Sequence, residues 1–306
     1  MKAMIPTGKR ELPVVFGEIE QVRPRPNEAL VKVAAYSVNR GETFLLERPR
    51  AGWTPGKDIA GLVIQAAADG SGPAVGRRVV GHPPSGGWAQ FVAVPTDSLA
   101  ELPEDVHATT AAALPLAGLT ALRLLRTAGP VAGRRILLTG ASGGVGHYLT
   151  ELAAGAGAEL TAVSSSAERG SRLEQLGAAA VVREVADATG RFDIVMESVG
   201  GPDLPAALAR LAPRGTLIWF GQASRTPVTL DFFDILNGPV SATIRQFSYA
   251  DTDTPYGPDL ATLVRLVAQG RLHPELGRVA DWSETATTLT DLRDRHIRGN
   301  AVLTVS

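Results

Sequence analysis

The sequence predicts an α/β fold in which a doubly wound parallel sheet is inserted into a mostly β domain. Three observations predict it. Short apolar runs cut by Gly and Pro fill the first hundred residues, and β-like and helical runs then alternate at the spacing of a parallel sheet. The chain closes with an apolar run too short to form a sheet alone. With 306 residues, 44% of them apolar, the length suits two domains.

The first part of the chain contains β-like runs of alternating apolar character. They cover residues 29–35, 59–65, 77–81 and 88–94. Residues 111–127 then have a helical composition. The alternation predicts a small, mostly β domain followed by the start of a second one.

The middle of the chain alternates strands with helices. Strands are predicted at residues 135–139, 159–163, 180–182, 193–196 and 216–220, and helices at 145–156, 168–176 and 203–211. A further strand at 240–244 precedes a loop at 250–258, a helix at 260–269 and an amphipathic helix after Asp281. The last β-like run, 301–305, is expected to return to the sheet of the first domain.

Composition and charge exclude several classes of function. The net charge is −1 and the charges are scattered, which argues against a nucleic-acid partner and against a membrane-surface helix. Neither a signal peptide nor a run of about 18 apolar residues is present, so we expect a cytoplasmic protein. The chain has no cysteine, which removes disulfides, thiol nucleophiles and thiolate zinc sites. No metal is expected.

The segment GASGGVG at residues 140–146 carries the clearest functional signal. It lies between an apolar strand and an alanine-rich helix. Glycines allow backbone amides to approach a ligand, and a helix N-terminus favours a phosphate. The glycine spacing differs from the G-x-G-x-x-G fingerprint of dinucleotide-binding proteins. A second strand follows, however, as a nucleotide-binding βαβ unit requires. We interpret this segment as a dinucleotide-binding turn.

Other interpretations of the same letters remain. A short-chain reductase would need a tyrosine four residues before a lysine, and none of the four lysines has one. A serine hydrolase built on Ser142 could use Asp193 with His273 or His296, which fits the chain order of that class. A plain strand-to-helix turn would require glycine once, not four times.

The end of the second strand of this unit indicates a preference for NADPH. Sites that prefer NAD have an acidic residue here, whereas this chain has Ser164, Ser165 and Ser166, followed by Arg169 and Arg172. Hydroxyls and a guanidinium can bind a 2′-phosphate through charge-assisted hydrogen bonds of roughly 1.5–3 kcal/mol. The alternative is that both arginines lie on a solvated helix face.

Taken in order, the surrounding motifs resemble the zinc-independent quinone oxidoreductase branch of the medium-chain dehydrogenase/reductases. The motifs are SVNRGETF (37–44), PGKDIAG (55–61), VGRRVVG (75–81), GGWAQFVAVP (86–95), AALPLAGLTAL (112–122), ILLTGASGGVG (136–146), LEQLGA (173–178), FDIVMESVGG (192–201) and GNAVL (299–303). The resemblance implies a GroES-like domain with a Rossmann domain inserted, and an active site in the cleft between them. It implies domain bounds of 1–115 and 249–306 for the GroES-like part and 116–248 for the Rossmann part.

The resemblance also implies the residues of the site. The expected catalytic residues are Asn39, Thr120 and Tyr249, of which Asn39 and Thr120 also lie beside the nicotinamide. The expected cofactor-binding residues are Ser142, Gly143, Gly144 and Val145 at the pyrophosphate, Ser164, Ser165 and Arg169 at the 2′-phosphate, and Phe220, Gly221, Gln222, Ala242, Thr243 and Ile244 at the nicotinamide. Two positions depart from the family: its substrate-side tyrosine is Phe44 here, and its aspartate is Glu42.

The expected activity is hydride transfer from NADPH to a small electrophile, either a quinone or the β-carbon of an α,β-unsaturated carbonyl. Reduction of an enone benefits from a placed acid, and Tyr36, Tyr249 and His82 are the candidates, each with an ordinary packing role as the alternative. Three other functions stay open: an enoyl-thioester reductase, an NADPH-binding sensor without turnover, and the Ser142 hydrolase. The resemblance also implies a homodimer formed through the Rossmann sheets.

Overall fold

The computed structural model describes residues 1–306, which divide into two units. One unit contains Met1–Leu119 and Asp253–Ser306, and the other contains Thr120–Thr252. The strands in chain order are β1 (Lys2–Pro6), β2 (Val14–Glu18), β3 (Glu28–Val38), β4 (Ile59–Gln65), β5 (Arg78–Gly81), β6 (Phe91–Pro95), β7 (Leu99–Glu101), β8 (Arg135–Leu138), β9 (Glu159–Val163), β10 (Ala180–Val182), β11 (Phe192–Glu197), β12 (Leu211–Trp219), β13 (Thr243–Gln246), β14 (Leu276–Asp281) and β15 (Asn300–Thr304).

Nine α-helices accompany these strands. They are α1 (Arg40–Leu45), α2 (Ala108–Ala112), α3 (Pro115–Ala128), α4 (Gly144–Gly155), α5 (Ala167–Gln175), α6 (Asp203–Leu208), α7 (Phe232–Leu236), α8 (Tyr256–Ala268) and α9 (Thr285–Arg293). No helix is long and apolar enough to span a bilayer.

The discontinuous unit is built on a seven-stranded sheet of order β14-β15-β3-β4-β5-β7, with β6 also paired to β3. The closing strand β15 pairs antiparallel with β3, Val302 opposite Ser37, which confirms that the chain end returns to the first sheet. Tyr36, Trp88 and Ile59 are fully buried in the core of this unit, and the Tyr36 and Trp88 rings stack with centroids 5.9 Å apart. A separate hairpin, β1 and β2, packs Phe16 edge-to-face on Trp282.

The second unit is a six-stranded sheet of order β10-β9-β8-β11-β12-β13, parallel at every pairing. Counted along the chain, this is the order 3-2-1-4-5-6 of a dinucleotide-binding doubly wound sheet. Strands β8 and β11 are buried on both faces and rich in Ile, Leu and Val, as expected where helices cover both sides. The predicted doubly wound sheet inserted into a mostly β domain is confirmed.

Several predicted elements have different bounds in the structure. The helix expected at 203–211 stops at Leu208, and β12 begins at Leu211 instead of 216. Pro213 and Gly215 are unusual in a strand, so the sequence does not indicate that β12 begins before them. At this point the register against β11 shifts, and Arg214 has a φ of 62°. The helical run at 111–127 is two helices, α2 and α3.

Candidate functional site

The carboxyl ends of the parallel strands gather the predicted cofactor-binding segments at one edge of the sheet. The glycine turn follows β8, the three serines follow β9, and Phe220 to Gln222 follow β12. The chain leaves β8 toward β9 on one side and returns as β11 on the other. This reversal opens a crevice at the carboxyl edge, which is where doubly wound sheets bind ligands.

The glycine turn has the geometry of a phosphate-binding loop. Gly140 has a φ of 63°, and Gly143 caps helix α4. The His147 amide donates to Gly143 O (3.2 Å), so the amides before it lie in the first turn, where a helix provides no acceptor. A Cβ on Gly146 would lie 2.2 Å from Ala141 O, so glycine is required there for close packing of helix and turn.

The first turn of α4 contains a histidine that sequence reasoning left without a role. His147 is buried, and its Nδ1 lies 2.9 Å from Gly143 O. A carbonyl oxygen only accepts, so Nδ1 carries the proton and donates it. This bond ties the helix to the glycine turn one position before the helix begins.

The three serines after β9 have different environments. Ser166 caps α5, and its Oγ accepts from the Arg169 amide (3.4 Å). Ser164 is buried, and its hydroxyl donates to Ser166 O (3.1 Å), whereas Ser165 is exposed. Arg169 therefore lies in the first turn of α5, beside the exposed serine. Arg172 lies a turn further on, and its guanidinium donates to Gln175 (2.8 Å), as the solvated-face alternative expects.

The segment after β12 packs against the loop after β11. The Phe220 amide donates to Glu197 O (2.9 Å), and a Cβ on Gly221 would lie 3.0 Å from Ser198 O. The Gln222 side chain donates to Thr226 O (2.8 Å). These contacts hold the Phe220–Gln222 backbone at the carboxyl edge, where the resemblance expects it.

The other predicted nicotinamide-side segment lies at the start of β13, before its carboxyl end. Thr243 pairs with Thr216 and Ile244 with Leu217, at the amino-terminal end of the parallel pair. Ala242 precedes them and packs against the hydrophobic core of this sheet. The expectation that Ala242, Thr243 and Ile244 contact the nicotinamide stays a prediction, since the register places Ile244 two residues before the carboxyl end of β13. The residues of β13 at that edge are Gln246 and the following Phe247, whose amide donates to Trp219 O (2.9 Å).

Thr120 and Tyr249 lie on elements joined by an arginine that sequence reasoning missed. Arg123 is buried, and its Nη1 donates to Tyr249 O (2.7 Å). It lies three residues after Thr120 in α3, so the two side chains share a helix face. The buried guanidinium draws the Tyr249 backbone to that face. The helix α3 contains two arginines, and Arg123 is the buried one, whereas Arg126 in the last turn is exposed.

The geometry contradicts the hydrolase built on Ser142 and Asp193. Asp193 lies at the start of β11, where its Oδ2 accepts from the Arg135 amide (2.9 Å). Ser142 lies beyond the opposite end of the neighbouring strand β8. A strand of four residues separates the two ends by about 13 Å, too far for a triad relay.

The discontinuous unit contains a buried polar cluster centred on Asp58, which is fully buried. Its Oδ2 accepts from Ser37 Oγ (2.6 Å) and Asn39 Nδ2 (2.6 Å). Its Oδ1 accepts from the Leu116 amide (3.0 Å) and lies 3.1 Å from His82 Nδ1. Four partners around one carboxylate offset the cost of burying its charge. This cluster has no direct signal in the sequence, because its members are far apart in the chain.

The cluster determines which end of the Asn39 amide is available to a ligand. Its Nδ2 donates to Asp58 and lies 3.4 Å from Ser37 Oγ, so both amide hydrogens face the cluster. The neighbouring carboxylate fixes this orientation, since an oxygen facing it would be repelled. The Asn39 side chain also accepts from the Glu42 amide in the capping box of α1, and it does not supply a donor for a developing oxyanion.

Glu42 is a second buried carboxyl beside this cluster. Its Oε2 accepts from the Asn39 amide (2.9 Å), its Oε1 has no hydrogen-bond partner, and the residue is 2% exposed. Burial, together with the nearby charge of Asp58, raises the pKa of Glu42 to about 8. Glu42 thus holds a proton at neutral pH.

Two of the candidate proton donors have other partners. The Tyr36 hydroxyl is 2.6 Å from Thr285 Oγ1 in the core, and burial raises the pKa of Tyr36 above its usual value. His82 is buried with Nδ1 on Asp58, and its ring packs edge-to-face on Tyr256, with centroids 4.8 Å apart. The structure favours the packing alternative for Tyr36 and places His82 within the Asp58 cluster. Tyr249 is half-buried.

The carboxyl edge fits a dinucleotide phosphate on its own geometry. The glycine turn leaves space above Gly143, where an added Cβ would meet only Gly140 O, at 3.4 Å. The amides of the first turn of α4 provide donors, and Arg169 provides a cation one loop away along the same edge. Open space, donors and positive charge are the requirements for a diphosphate and an additional phosphate.

Comparison with known proteins agrees with this geometry. Residues 25–104 match the alcohol dehydrogenase GroES-like domain family, and residues 144–266 match the zinc-binding dehydrogenase family. A probable quinone oxidoreductase of Schizosaccharomyces pombe is 33% identical over 70% of this chain and 68% of its own length. A quinone oxidoreductase of Pseudomonas aeruginosa is 29% identical over 94% of each chain.

Solved structures show the same architecture. A mycobacterial protein solved in complex with NADPH superposes with a TM-score of 0.88 at 28% identity, covering 99% of this chain and all of that one. A quinone oxidoreductase of Pseudomonas syringae superposes with a TM-score of 0.87 at 26% identity, covering 99% of each chain. With its GroES-like domain, its Rossmann sheet and these relatives, the chain belongs to the quinone oxidoreductase-like family of medium-chain dehydrogenase/reductases.

Proposed function

We propose that this protein transfers hydride from NADPH to a quinone, or to the β-carbon of an α,β-unsaturated carbonyl, without zinc. As a member of its family, the chain is an oxidoreductase, and its cofactor is NADPH. One observation carries the proposal for this chain. The carboxyl edge of the parallel sheet brings together a glycine turn, an exposed serine with an arginine, and Phe220–Gln222.

The residues proposed to hold NADPH follow from that edge. The turn Ser142 to Val145 binds the pyrophosphate, with the Gly144 and Val145 amides in the first turn of α4 as donors, and Ser165 with Arg169 bind the 2′-phosphate, while the Ser164 hydroxyl donates to Ser166 O. Phe220 to Gln222 and Ala242 to Ile244 line the nicotinamide side, and we add Gln246 and Phe247 at the carboxyl end of β13. When bound, NADPH supplies the hydride, and the protein supplies position and polarity.

We propose that Asn39 and Thr120 contact the nicotinamide half of the cofactor. Because both amide hydrogens of Asn39 face Asp58 and Ser37, only its oxygen could meet a hydroxyl or an amide N–H of the cofactor, shared with the Glu42 amide. The negative charge that develops on the substrate oxygen then requires other donors, which backbone amides or Arg40 provide. Each such donor contributes about 3 kcal/mol in a dry site.

Zinc independence is supported by the chemistry of the donors. Although one matched family model has zinc in its name, the chain has no cysteine to supply a thiolate ligand. Both oxygens of Asp58 already have two partners each. A metal would have to displace several of these hydrogen bonds, which would leave their donors buried and unpaired.

The environment of the candidate acids favours a quinone as the first substrate to test. Tyr36 is bonded within the core, His82 directs Nδ1 to Asp58, and Phe44 has no hydroxyl. A quinone can take its proton from water after hydride transfer, whereas an enone gains from a placed acid. Tyr249 is the remaining candidate donor.

The test is a panel of quinones, enones and enoyl thioesters, followed by loss of NADPH absorbance, with NADH as the control. We expect turnover with at least one quinone, a preference for NADPH over NADH, and no loss of rate on treatment with a zinc chelator. NADPH binding without oxidation by any acceptor would instead support the sensor alternative.

We propose a homodimer formed through the edge of the Rossmann sheet, in the cytoplasm. Strand β13 ends the sheet and leaves one side unpaired. Phe232 and Phe233 of α7 are 66% and 67% exposed, and Leu236, Val240 and Ile244 are exposed beside them in the chain. An apolar patch beside a free strand edge is a liability unless it is covered, and a second copy covers both patches by twofold symmetry.

A further inference from the structure

Glu197 is a fully buried carboxyl that none of the proposed cofactor contacts uses. It is the last residue of β11, at the carboxyl edge of the sheet, and is 0% exposed. Burial raises its pKa above the usual range, while hydrogen bonds to the charged form act in the opposite direction. A carboxyl in such a position requires several donors to offset its desolvation.

Those donors come from the two loops that flank β11. Oε1 accepts from Thr139 Oγ1 (3.0 Å), from the Val199 amide (2.7 Å) and from the Gly200 amide (3.0 Å). Oε2 accepts from the Gly200 amide (3.1 Å). Thr139 immediately precedes the glycine turn, so one carboxyl joins the start of the pyrophosphate turn to the loop after β11.

The connection is reinforced around Thr139. Its Oγ1 accepts from the Ser198 amide (2.9 Å), and Ser198 Oγ donates to Thr139 O (3.1 Å). A Cβ on Gly140 would lie 2.5 Å from Ser198 Oγ, so the first residue of the glycine turn rests directly on this loop. The backbone of the turn can shift only if the loop after β11 shifts with it.

The same loop also holds the segment after β12. Glu197 O accepts from the Phe220 amide (2.9 Å), Ser198 O from Ala223 (2.9 Å) and Val199 O from Ser224 (2.8 Å). A Cβ on Gly200 would lie 2.6 Å from Gln222 Cγ. The loop that Glu197 organises is therefore bonded on one side to the pyrophosphate turn and on the other to the segment that lines the nicotinamide.

We propose that Glu197 is a positioning residue for NADPH, which sets the pyrophosphate turn and the Phe220–Gln222 segment at a fixed separation through the loop at 198–200. This inference rests on the proposed placement of NADPH along the carboxyl edge. The carboxyl does not touch the cofactor; it fixes the backbone donors that do. Preorganised donors bind without the cost of ordering them, so loosening this loop weakens NADPH affinity.

The chain contains a matched control on the same strand. Asp193 lies near the opposite end of β11 and also joins it to β8, through the Arg135 amide (2.9 Å). Asp193→Asn removes a carboxylate that links the same two strands at the edge away from the proposed site. A role limited to holding the sheet together predicts similar behaviour for Glu197→Gln and Asp193→Asn.

The test measures NADPH dissociation constants by fluorescence titration, with melting temperatures on the same samples. We expect Glu197→Gln to weaken NADPH binding at least about tenfold, because a carboxamide offers only one accepting oxygen and no longer holds the loop at 198–200 in place. Asp193→Asn should retain NADPH binding within about twofold of the wild type. The melting temperatures of both variants separate a loss of binding from a loss of folded protein.

A second pair of variants tests the same proposal if the Glu197 variant does not fold. Thr139→Ser keeps the hydroxyl between Glu197 and Ser198, and Thr139→Val removes it. Binding that survives in Thr139→Ser and falls in Thr139→Val supports the proposal. Folded Glu197→Gln or Thr139→Val that binds NADPH as well as Asp193→Asn would overturn it. Failure of the wild type to bind NADPH would instead overturn the proposed cofactor placement.

Discussion

For single residues, the hydrogen-bond partners and the burial seen in the structure determine roles that the residue type alone does not. The three serines after β9 look equivalent in the sequence, yet one caps α5, one is buried and one is exposed. Asn39 was expected from the resemblance, but its orientation depends on Asp58, nineteen residues later. The sequence could predict which residue types lie near the cofactor edge, and could not predict hydrogen bonds between segments far apart in the chain.

The position of Arg169 leads to a prediction about coenzyme preference. Replacing Arg169 with Ala should lower the preference for NADPH over NADH by about ten- to a hundredfold, because one charge-assisted contact to the 2′-phosphate is lost. The ratio of kcat/KM values for the two coenzymes measures this. Arg172→Ala is the control and should leave the ratio nearly unchanged, since Arg172 bonds to Gln175. Equal losses in both variants would assign the preference elsewhere.

The raised pKa of Glu42 leads to a prediction about stability and pH. Its folded pKa of about 8 lies above its ordinary value of 4.5, so between these values the native state binds more protons than the unfolded state. Stability should therefore fall as pH rises through this window, by roughly 3 to 5 kcal/mol for full ionisation.

Glu42→Gln removes this titration and can still accept from the Asn39 amide. Unfolding by urea between about pH 5 and pH 9 should show a smaller loss of stability in the variant than in the wild type. A variant that retains the full pH dependence would show that another group is responsible.

For helices and strands, the local sequence pattern predicts strands with continuous apolar runs. It does not predict strands that are stabilised by contacts with distant parts of the chain. Strands β4, β9 and β10 have the predicted bounds, and β15 pairs with β3 as expected. The hairpin of β1 and β2 was missed, because its sequence is interrupted by polar residues. Its pairing is supported by distant contacts, such as the Met4 amide on Trp88 O (2.8 Å). Such support leaves no periodic signal.

The close packing of α4 on the glycine turn gives a prediction at this scale. A methyl group at Gly146 would lie 2.2 Å from Ala141 O, whereas one at Gly155, in the last turn of the same helix, has open space around it. Gly146→Ala should lower the free energy of unfolding by about 1–3 kcal/mol and weaken NADPH binding. Gly155→Ala should raise stability by up to about 1 kcal/mol. Urea denaturation of both variants checks this, and a neutral Gly146→Ala would contradict the geometry.

At the scale of the whole molecule, the order of secondary-structure types was enough to predict the architecture. Alternating strands and helices within a β-rich frame can be read locally, and the connection rules for parallel sheets then limit the topology. The sequence could not show which end of an edge strand faces the cofactor. The resemblance places Ala242, Thr243 and Ile244 on the nicotinamide side, and only the register with β12 shows that Gln246 is the residue of β13 opposite Trp219, the last residue of β12.

The apolar sheet edge gives a prediction about assembly. Phe233→Glu or Ile244→Lys should convert a dimer into a monomer, because each places a charge in a buried symmetric interface. Sedimentation velocity measures the mass of the species. Val75→Lys is the control, since Val75 is 61% exposed in the other unit and lies outside the patch. A wild type that sediments as a monomer at micromolar concentration would contradict the proposed homodimer.

The central claim is that the carboxyl edge of the parallel sheet binds NADPH, and a crystal structure of the protein grown with NADPH tests it most directly. We predict density for the pyrophosphate at the turn Ser142 to Val145, with the 2′-phosphate beside Ser165 and Arg169. A coenzyme bound elsewhere, or an edge without density at saturating NADPH, would contradict the account.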